Sequence, residues 1–251
     1  MKSILKIFLT ISLMAGWCAC KKTTLPPASN VAGFNFINAT VGVNPLFVQF
    51  NNKSVIFSTL TTANKLSYGS TNLFSPLSGN VIISFIQTTD TTHTLFQGNF
   101  NLQKFNTYSF FLTGNVNQPD TLLLRDQLPY YSPTDSVGGI RFINLSTGSN
   151  PISINMKGQT NGSEVSSLSY KQATIFKNYP STSTISSYTF EFRDQATGAL
   201  LASYSFTGVN NSTGTNTAIN TFRFKNHTLA LIGQPGGTGT SAQKALMINN
   251  Y

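Results

Sequence analysis

Apolar and polar residues alternate along this chain with a period of two. Tyr188-Thr189-Phe190-Glu191-Phe192-Arg193 alternates strictly, and Phe34-Asn35-Phe36 and Phe222-Arg223-Phe224 do the same. That period puts every second side chain on one face, as a half-buried strand requires. Val81-Ile82-Ile83-Ser84-Phe85-Ile86 is apolar on both faces and predicts a central strand. Breakers such as Ser78-Gly79-Asn80 and Gly148-Ser149-Asn150-Pro151 punctuate these runs. No amphipathic helix is evident beyond the N-terminal segment. The pattern predicts an all-β fold of antiparallel β-sandwich (Ig-like or Greek-key) type, with phenylalanine filling the space between sheets. A small barrel is the alternative.

The strands come in two sets. Gly33-Phe34-Asn35-Phe36-Ile37-Asn38 recurs as Gly139-Ile140-Arg141-Phe142-Ile143-Asn144, and Gly42-Val43-Asn44-Pro45-Leu46 recurs in register as Gly148-Ser149-Asn150-Pro151-Ile152. Leu66-Ser67-Tyr68 matches Leu168-Ser169-Tyr170. Ser109-Phe110-Phe111-Leu112-Thr113-Gly114 resembles Thr228-Leu229-Ala230-Leu231-Ile232-Gly233, and Leu122-Leu123-Leu124 matches Leu246-Met247-Ile248. The offset drifts between these pairs, as loop insertions would cause; the polar stretch from Asn210 to Asn220 is the expected insertion in the second copy. Two tandem domains follow, residues 31–126 and 138–251, each of roughly seven strands and near the commonest domain size. Residues 127–137, with Pro129 and Pro133, read as a linker, and residues 20–30, with Pro26-Pro27, as a tether.

The N-terminus supplies an address. Lys2 and Lys6 flank the start of an apolar run from Ile7 to Trp17, which matches a secretory signal and is too short to span a bilayer. Cys18-Ala19-Cys20-Lys21-Lys22 follows. Small Ala19 before Cys20 resembles a bacterial lipobox, with residues 1–19 removed and Cys20 lipidated. Several acyl chains on Cys20 would anchor the protein stably. The expected location is the cell envelope, at the outer membrane, with the leaflet left open. The mature chain would then have no tryptophan and no free cysteine for a disulfide, a nucleophile or a zinc site.

Composition narrows the chemistry. Charged residues make up 9% of the 251, and loss of Lys2 and Lys6 lowers the formal charge from +9 to +7. The remaining basic residues are scattered, apart from Lys21-Lys22 beside the anchor, so nucleic acid is not an expected partner. His93 and His227 read as surface imidazoles on strands, with no Gly-x-Ser-x-Gly elbow to accompany them. Glu191 and Asp194 are close in sequence but straddle a strand end and its turn, so paired-acid catalysis is disfavoured. No Asp-x-Asp cluster suggests calcium. The glycine-rich run Gly233 to Gly239 lacks a Gly-Lys-Ser/Thr ending and reads as a connection between the last two strands. No catalytic residue, metal or cofactor is expected. Tyr130-Tyr131, in the linker, are the candidates for ligand contact, either as a sugar platform or as a wedge between domains.

The paired motifs resemble a bacterial secreted family, domain-of-unknown-function family 4397. Ile140 to Asn144, Asn150-Pro151-Ile152 and Leu168-Ser169-Tyr170 carry the likeness in the second copy. Phe34 to Asn38, Asn44-Pro45 and Leu66-Ser67-Tyr68 carry it in the first. With the lipoprotein signal and the Asn/Thr-rich domains, the style is similar to Bacteroidota envelope proteins. The resemblance implies a β-sandwich in the envelope and transfers no catalytic residue. The expected function is a non-catalytic, lipid-anchored envelope protein that binds a protein partner or a glycan through sandwich loops. A structural spacer and a glycan-acting hydrolase are the alternatives.

Overall fold

The computed structural model describes residues 30–43, 45–54, 65–132, 134–211 and 220–250. The signal segment, Cys20, Lys21-Lys22 and most of the insertion after Asn210 lie outside the described residues. From Val31 onward the described residues belong to one compact unit. The fold is all-β. The first half holds β1 (Gly33–Asn38), β2 (Leu46–Phe50), β3 (Lys53–Ser54), β4 (Thr71–Phe74), β5 (Gly79–Gln87), β6 (Asp90–Leu102), β7 (Thr107–Asn115) and β8 (Gln118–Arg125). The second half holds β9 (Val137–Asn144), β10 (Ile152–Met156), β11 (Val165–Leu168), β12 (Lys177–Pro180), β13 (Ser187–Asp194), β14 (Leu200–Thr207), β15 (Asn226–Ile232) and β16 (Lys244–Asn250). Each half thus has eight described strands where about seven were expected.

Each half makes two four-stranded sheets. Their orders are β4-β1-β7-β8 with β3-β2-β5-β6, and β12-β9-β15-β16 with β11-β10-β13-β14. Adding eight to every strand number turns the first pair of orders into the second. The likeness reaches single side chains. Asn38 Nδ2 donates to the Leu66 carbonyl, and Asn38 Oδ1 accepts from the Thr40 amide. Asn144 Nδ2 donates to the Leu168 carbonyl, and its Oδ1 accepts from the Ser146 amide. Each asparagine is fully buried, and pairing its amide this way avoids the cost of an orphaned polar group. Gly114 and Gly233 both take positive φ (79° and 96°) where β7 and β15 end, and a Cβ there would strike the backbone of Gln118 and Asp120 on β8 or of Ala242 and Gln243 just before β16.

The sheets β3-β2-β5-β6 and β11-β10-β13-β14 are antiparallel throughout, as expected, and the other two each contain one parallel pair. β1 pairs parallel to β7, and β9 parallel to β15. Between β1 and β7 the chain passes through the opposite sheet, so the two strands meet without a hairpin. Alternation along one strand carries no sign of the direction of its neighbour.

Three apolar cores result. Phe34, Phe36, Phe110, Ile83 and Phe85 belong to the first, between the two sheets of the first half. Phe36 lies 4.4 Å from Phe85 and 5.3 Å from Phe110, ring centre to ring centre. Phe142, Phe190, Phe192, Leu229 and Leu231 belong to its counterpart in the second half. The third core joins the halves: Ile37, Ala39 and Phe111 pack with Ile143, Leu145, Ala230, Ile232 and Ile248. β7 and β15 are therefore buried on both faces, as their near-continuous apolar sequences require.

The middle of this junction is polar. Arg141 Nη1 lies 2.7 Å from Asp126 Oδ1, with 5% and 1% of the two side chains exposed. Arg141 also donates to Thr228 Oγ1 and Ser109 Oγ. Burial pulls the guanidinium's pKa down from its ordinary value, and the Asp126 carboxylate pushes back. Asp126 ends the first half, so the residue just before the expected linker is bound to the second. Further along it, Tyr131 donates to Asn226 Oδ1 and Asn226 Nδ2 donates to the Pro129 carbonyl.

Candidate functional site

The two sandwiches differ at one open side. In the first half, the described residues beside edge strands β3 and β4 line a groove of about 530 Å³, among them Phe50, Leu73, Phe74, Pro76, Leu77 and Val81. Phe50 and Phe74 meet edge to face at 5.5 Å, and Phe34 stands against Phe50 at 6.1 Å. Leu73 and Leu77 are 66% and 62% exposed. Exposed leucines that cluster on a groove mark a contact surface more strongly than scattered ones. Lys53 supplies the charge on the rim. Asn51, also on the rim, is engaged, its Oδ1 accepting from the Ile82 amide. The chain enters the fold beside this groove, where Val31 pairs with Leu77 and the Ala32 amide donates to the Pro76 carbonyl.

The second half closes the same side. Phe34 pairs with Phe74, and Ile140, its counterpart, pairs with Lys177. Lys177 Nζ lies 2.8 Å from Glu164 Oε2, and the Tyr179 hydroxyl donates to the same oxygen at 2.5 Å. Glu164 precedes β11 and Tyr179 stands on β12, so these contacts clasp the two sheets together. Tyr179 is 3% exposed, with Tyr188 and Phe190 rings at 5.6 and 5.3 Å. Burial, then the Glu164 carboxylate, raises its phenol pKa.

The residues singled out from sequence separate. Tyr130 is 87% exposed, whereas Tyr131 is buried against Gly139, where a Cβ would collide with its hydroxyl. The two rings are therefore not exposed side by side, and Tyr131 is bonded to Asn226 of the second half. His93 is exposed and bonds Asp90, holding that carboxyl near 2 together with the Thr92 hydroxyl, whose bond is the larger cause. His227 corrects the expectation of a surface imidazole. It is 2% exposed, stacked at 5.6 Å on Phe222, with Nδ1 3.0 Å from Asn249 Oδ1. Burial pulls its pKa down to about 4. That His227 lies on a strand was legible; that its ring is buried depends on the rings of Phe206 and Phe222 packed against it.

The two acids have separate occupations. Glu191 accepts from Arg193 and Asn155, and the Arg193 bond lowers its pKa. Asp194 Oδ1 accepts the amides of Ala196 and Thr197 and the Thr197 hydroxyl, forming the β13–β14 turn. Carboxylates so occupied hold a turn and a strand face. Among the described residues no three His, Cys, Asp or Glu side chains converge, and no helix is long and apolar enough to cross a membrane.

No protein-family model matches this chain, and no curated protein matches it significantly.

Sequence reasoning missed the groove. Leu73 and Leu77 lie in Thr71-Asn72-Leu73-Phe74-Ser75-Pro76-Leu77, a short apolar stretch broken by proline. The usable signal was comparative: Lys177 and Tyr179 occupy the matching strand of the other copy.

Proposed function

We propose that this chain is a non-catalytic, lipid-anchored protein of the bacterial outer membrane. Its first half binds a protein partner through an apolar segment seated in the groove. The observation that carries the reading is the contrast of one open groove, with Leu73 and Leu77 exposed, against one clasped counterpart. The anchor rests on the Lys2 to Cys20 pattern and on the resemblance to family 4397. An apolar lining favours a protein segment over a glycan, which would need exposed flat rings beside several free hydrogen-bonding groups. Lys53 on the rim suits an acidic residue flanking that segment, and the chain's basic balance agrees.

A photo-reactive benzophenone amino acid at Leu77, in the full chain in intact cells, tests this. The expected result is a defined cross-linked band that weakens at least fivefold with Leu73→Asp or Lys53→Glu while the fold persists. A band indifferent to both substitutions, or no band, overturns the groove. Cys20→Ser is scored in parallel: if it remains as membrane-bound as the wild type, the anchor is overturned.

A further inference from the structure

Among the described residues β6 is the outermost strand of its sheet, and it runs for 13 residues. An edge strand displays a row of N–H and C=O groups, which proteins ordinarily guard with lysine, proline or bulges. The stretch Phe96-Gln97-Gly98-Asn99-Phe100-Asn101-Leu102 has no charge and no proline. Its register against β5 is regular, from Phe85 opposite Phe96 to Gly79 opposite Leu102.

The direction of its backbone groups follows from one pair of contacts. The Asn51 amide donates to the Ile82 carbonyl at 2.8 Å, and the Ile82 amide donates to Asn51 Oδ1 at 2.9 Å. Both backbone groups of Ile82 thus point towards β2 and its turn, away from β6. Alternation then turns Val81, Ile83 and Phe85 towards β6, where Phe100, Gly98 and Phe96 meet them. Gln97, Asn99 and Asn101 aim their N–H and C=O groups outward, and all three are exposed. The register shifts beyond Phe85, which ends the outward row at Gln97.

We propose that a second copy of this chain pairs antiparallel with β6 about a two-fold axis at Asn99, joining two four-stranded sheets into one. Symmetry fixes the register. The three outward residues meet their own kind only if Asn99 faces Asn99 of the second copy and Gln97 faces its Asn101. About six backbone hydrogen bonds form. On the outer face, amides meet amides, each able to donate and accept. On the inner face, a Cβ at Gly98 would stand 2.7 Å from the Phe100 ring and 3.1 Å from the Phe96 ring, so both half-buried rings lean over the glycine. The pairing sets Phe100 opposite Gly98 of the second copy, and four rings then cover one another's open flanks. No like charges face each other in this stretch.

The matching edge of the second half is built differently. Phe85 and Phe192 are counterparts on β5 and β13, facing Phe96 and Ala202, so Tyr204 stands where β6 has Gly98. Ser205, in the place of Asn99, is tied to Thr189 at 2.8 Å. Only β6 carries the glycine and the row of three amides.

Single-cysteine cross-linking of the full chain in intact cells tests the pairing, with the wild type as control for Cys18 and Cys20. Directly opposed Cα atoms lie about 5.5 Å apart in such a pair, within the roughly 4.4–6.8 Å a disulfide spans. Asn99→Cys is expected to oxidise to a covalent dimer. Gln97→Cys and Asn101→Cys, each about 14 Å from its own copy, are expected to yield at least tenfold less alone and to cross-link when combined in one chain. Asn99→Pro removes an outward amide that β5 does not use, so it is expected to leave the chain folded and monomeric by sedimentation. Equal cross-linking at all three positions, none at any, or a cross-link only to a different protein overturns the proposal.

Discussion

The two halves share their strand order but differ in sequence at most positions, and a few of the differences have a pattern. Residues kept in both halves hold backbone: Asn38 and Asn144 tie strands, and Gly114 and Gly233 turn hairpins. Some of the residues that differ lie where one half meets the other. Asn35 and Arg141 are counterparts, opposite Ser109 and Thr228. Asp126 and Asn250 are counterparts too, each bonded to that same hydroxyl residue. A junction that would otherwise repeat itself thus carries one cation and one anion, placed to meet at 2.7 Å. The open sides diverge likewise, into an apolar groove and a Glu164–Lys177–Tyr179 clasp. At these positions the two halves keep the contacts that hold backbone and vary what meets at the junction or at the open side.

The largest effect should come from breaking the charge pair at the junction. Arg141→Met leaves the Asp126 carboxylate buried with no cation, a change that typically costs about 3–5 kcal/mol. Arg141→Met with Asp126→Asn removes both charges and should recover most of that loss. Urea unfolding of the three proteins checks this. If the single variant is as stable as the wild type, the pair does not hold the halves together.

Much of the fold was legible and some was not, for physical reasons. Alternation in Tyr188 to Arg193 gave a strand whose Tyr188, Phe190 and Phe192 are the buried members. The repeat motifs gave the duplication down to Leu122-Leu123-Leu124 and Leu246-Met247-Ile248, which occupy matching registers on β8 and β16. The junction leaves a trace in the sequence: Phe110-Phe111-Leu112 and Leu229-Ala230-Leu231-Ile232 are apolar on both faces, which a strand solvated on one side would not be. The parallel pairs left no trace, because strand direction is set by the path of the whole chain. The site was scarcely legible. Tyr131 was picked out as an aromatic in a linker, yet its burial depends on Gly139 and Asn226.

The next effect is a pH dependence confined to the second half. His227 occupies the place of Tyr108, opposite Asn249 as Tyr108 is opposite Arg125. Its folded pKa is lowered from 6.5 to about 4. Above pH 6.5 the ring is neutral whether the chain is folded or not, and it adds no pH dependence. As pH falls from 6.5 towards 4, the unfolded chain takes up a proton that the folded core refuses, so stability declines. At about 1.4 kcal/mol per pKa unit the loss approaches roughly 3 kcal/mol. Urea midpoints at pH 7 and pH 4.5 should differ in the wild type, and the slope should shrink in His227→Tyr, which gives the second half the first half's residue. An unchanged slope would place the titrating group elsewhere.

The smallest effect sharpens the contrast between groove and clasp. Glu164→Ala takes away the acceptor of a buried hydroxyl, and the orphaned Tyr179 O–H costs about 1–3 kcal/mol. Lys177 is 58% exposed, so losing its ion pair should add little. Tyr179→Phe together with Glu164→Ala leaves no orphan and should be milder than Glu164→Ala alone, a non-additivity expected of directly bonded partners. The telling readout is local. If the clasp keeps this side shut, amide exchange on β11 and β12 should quicken in Glu164→Ala while β3 and β4 keep their wild-type rates. Equal acceleration in both halves would mean that the carboxylate supports the fold generally, and that the openness of the groove has some origin other than the lack of a clasp.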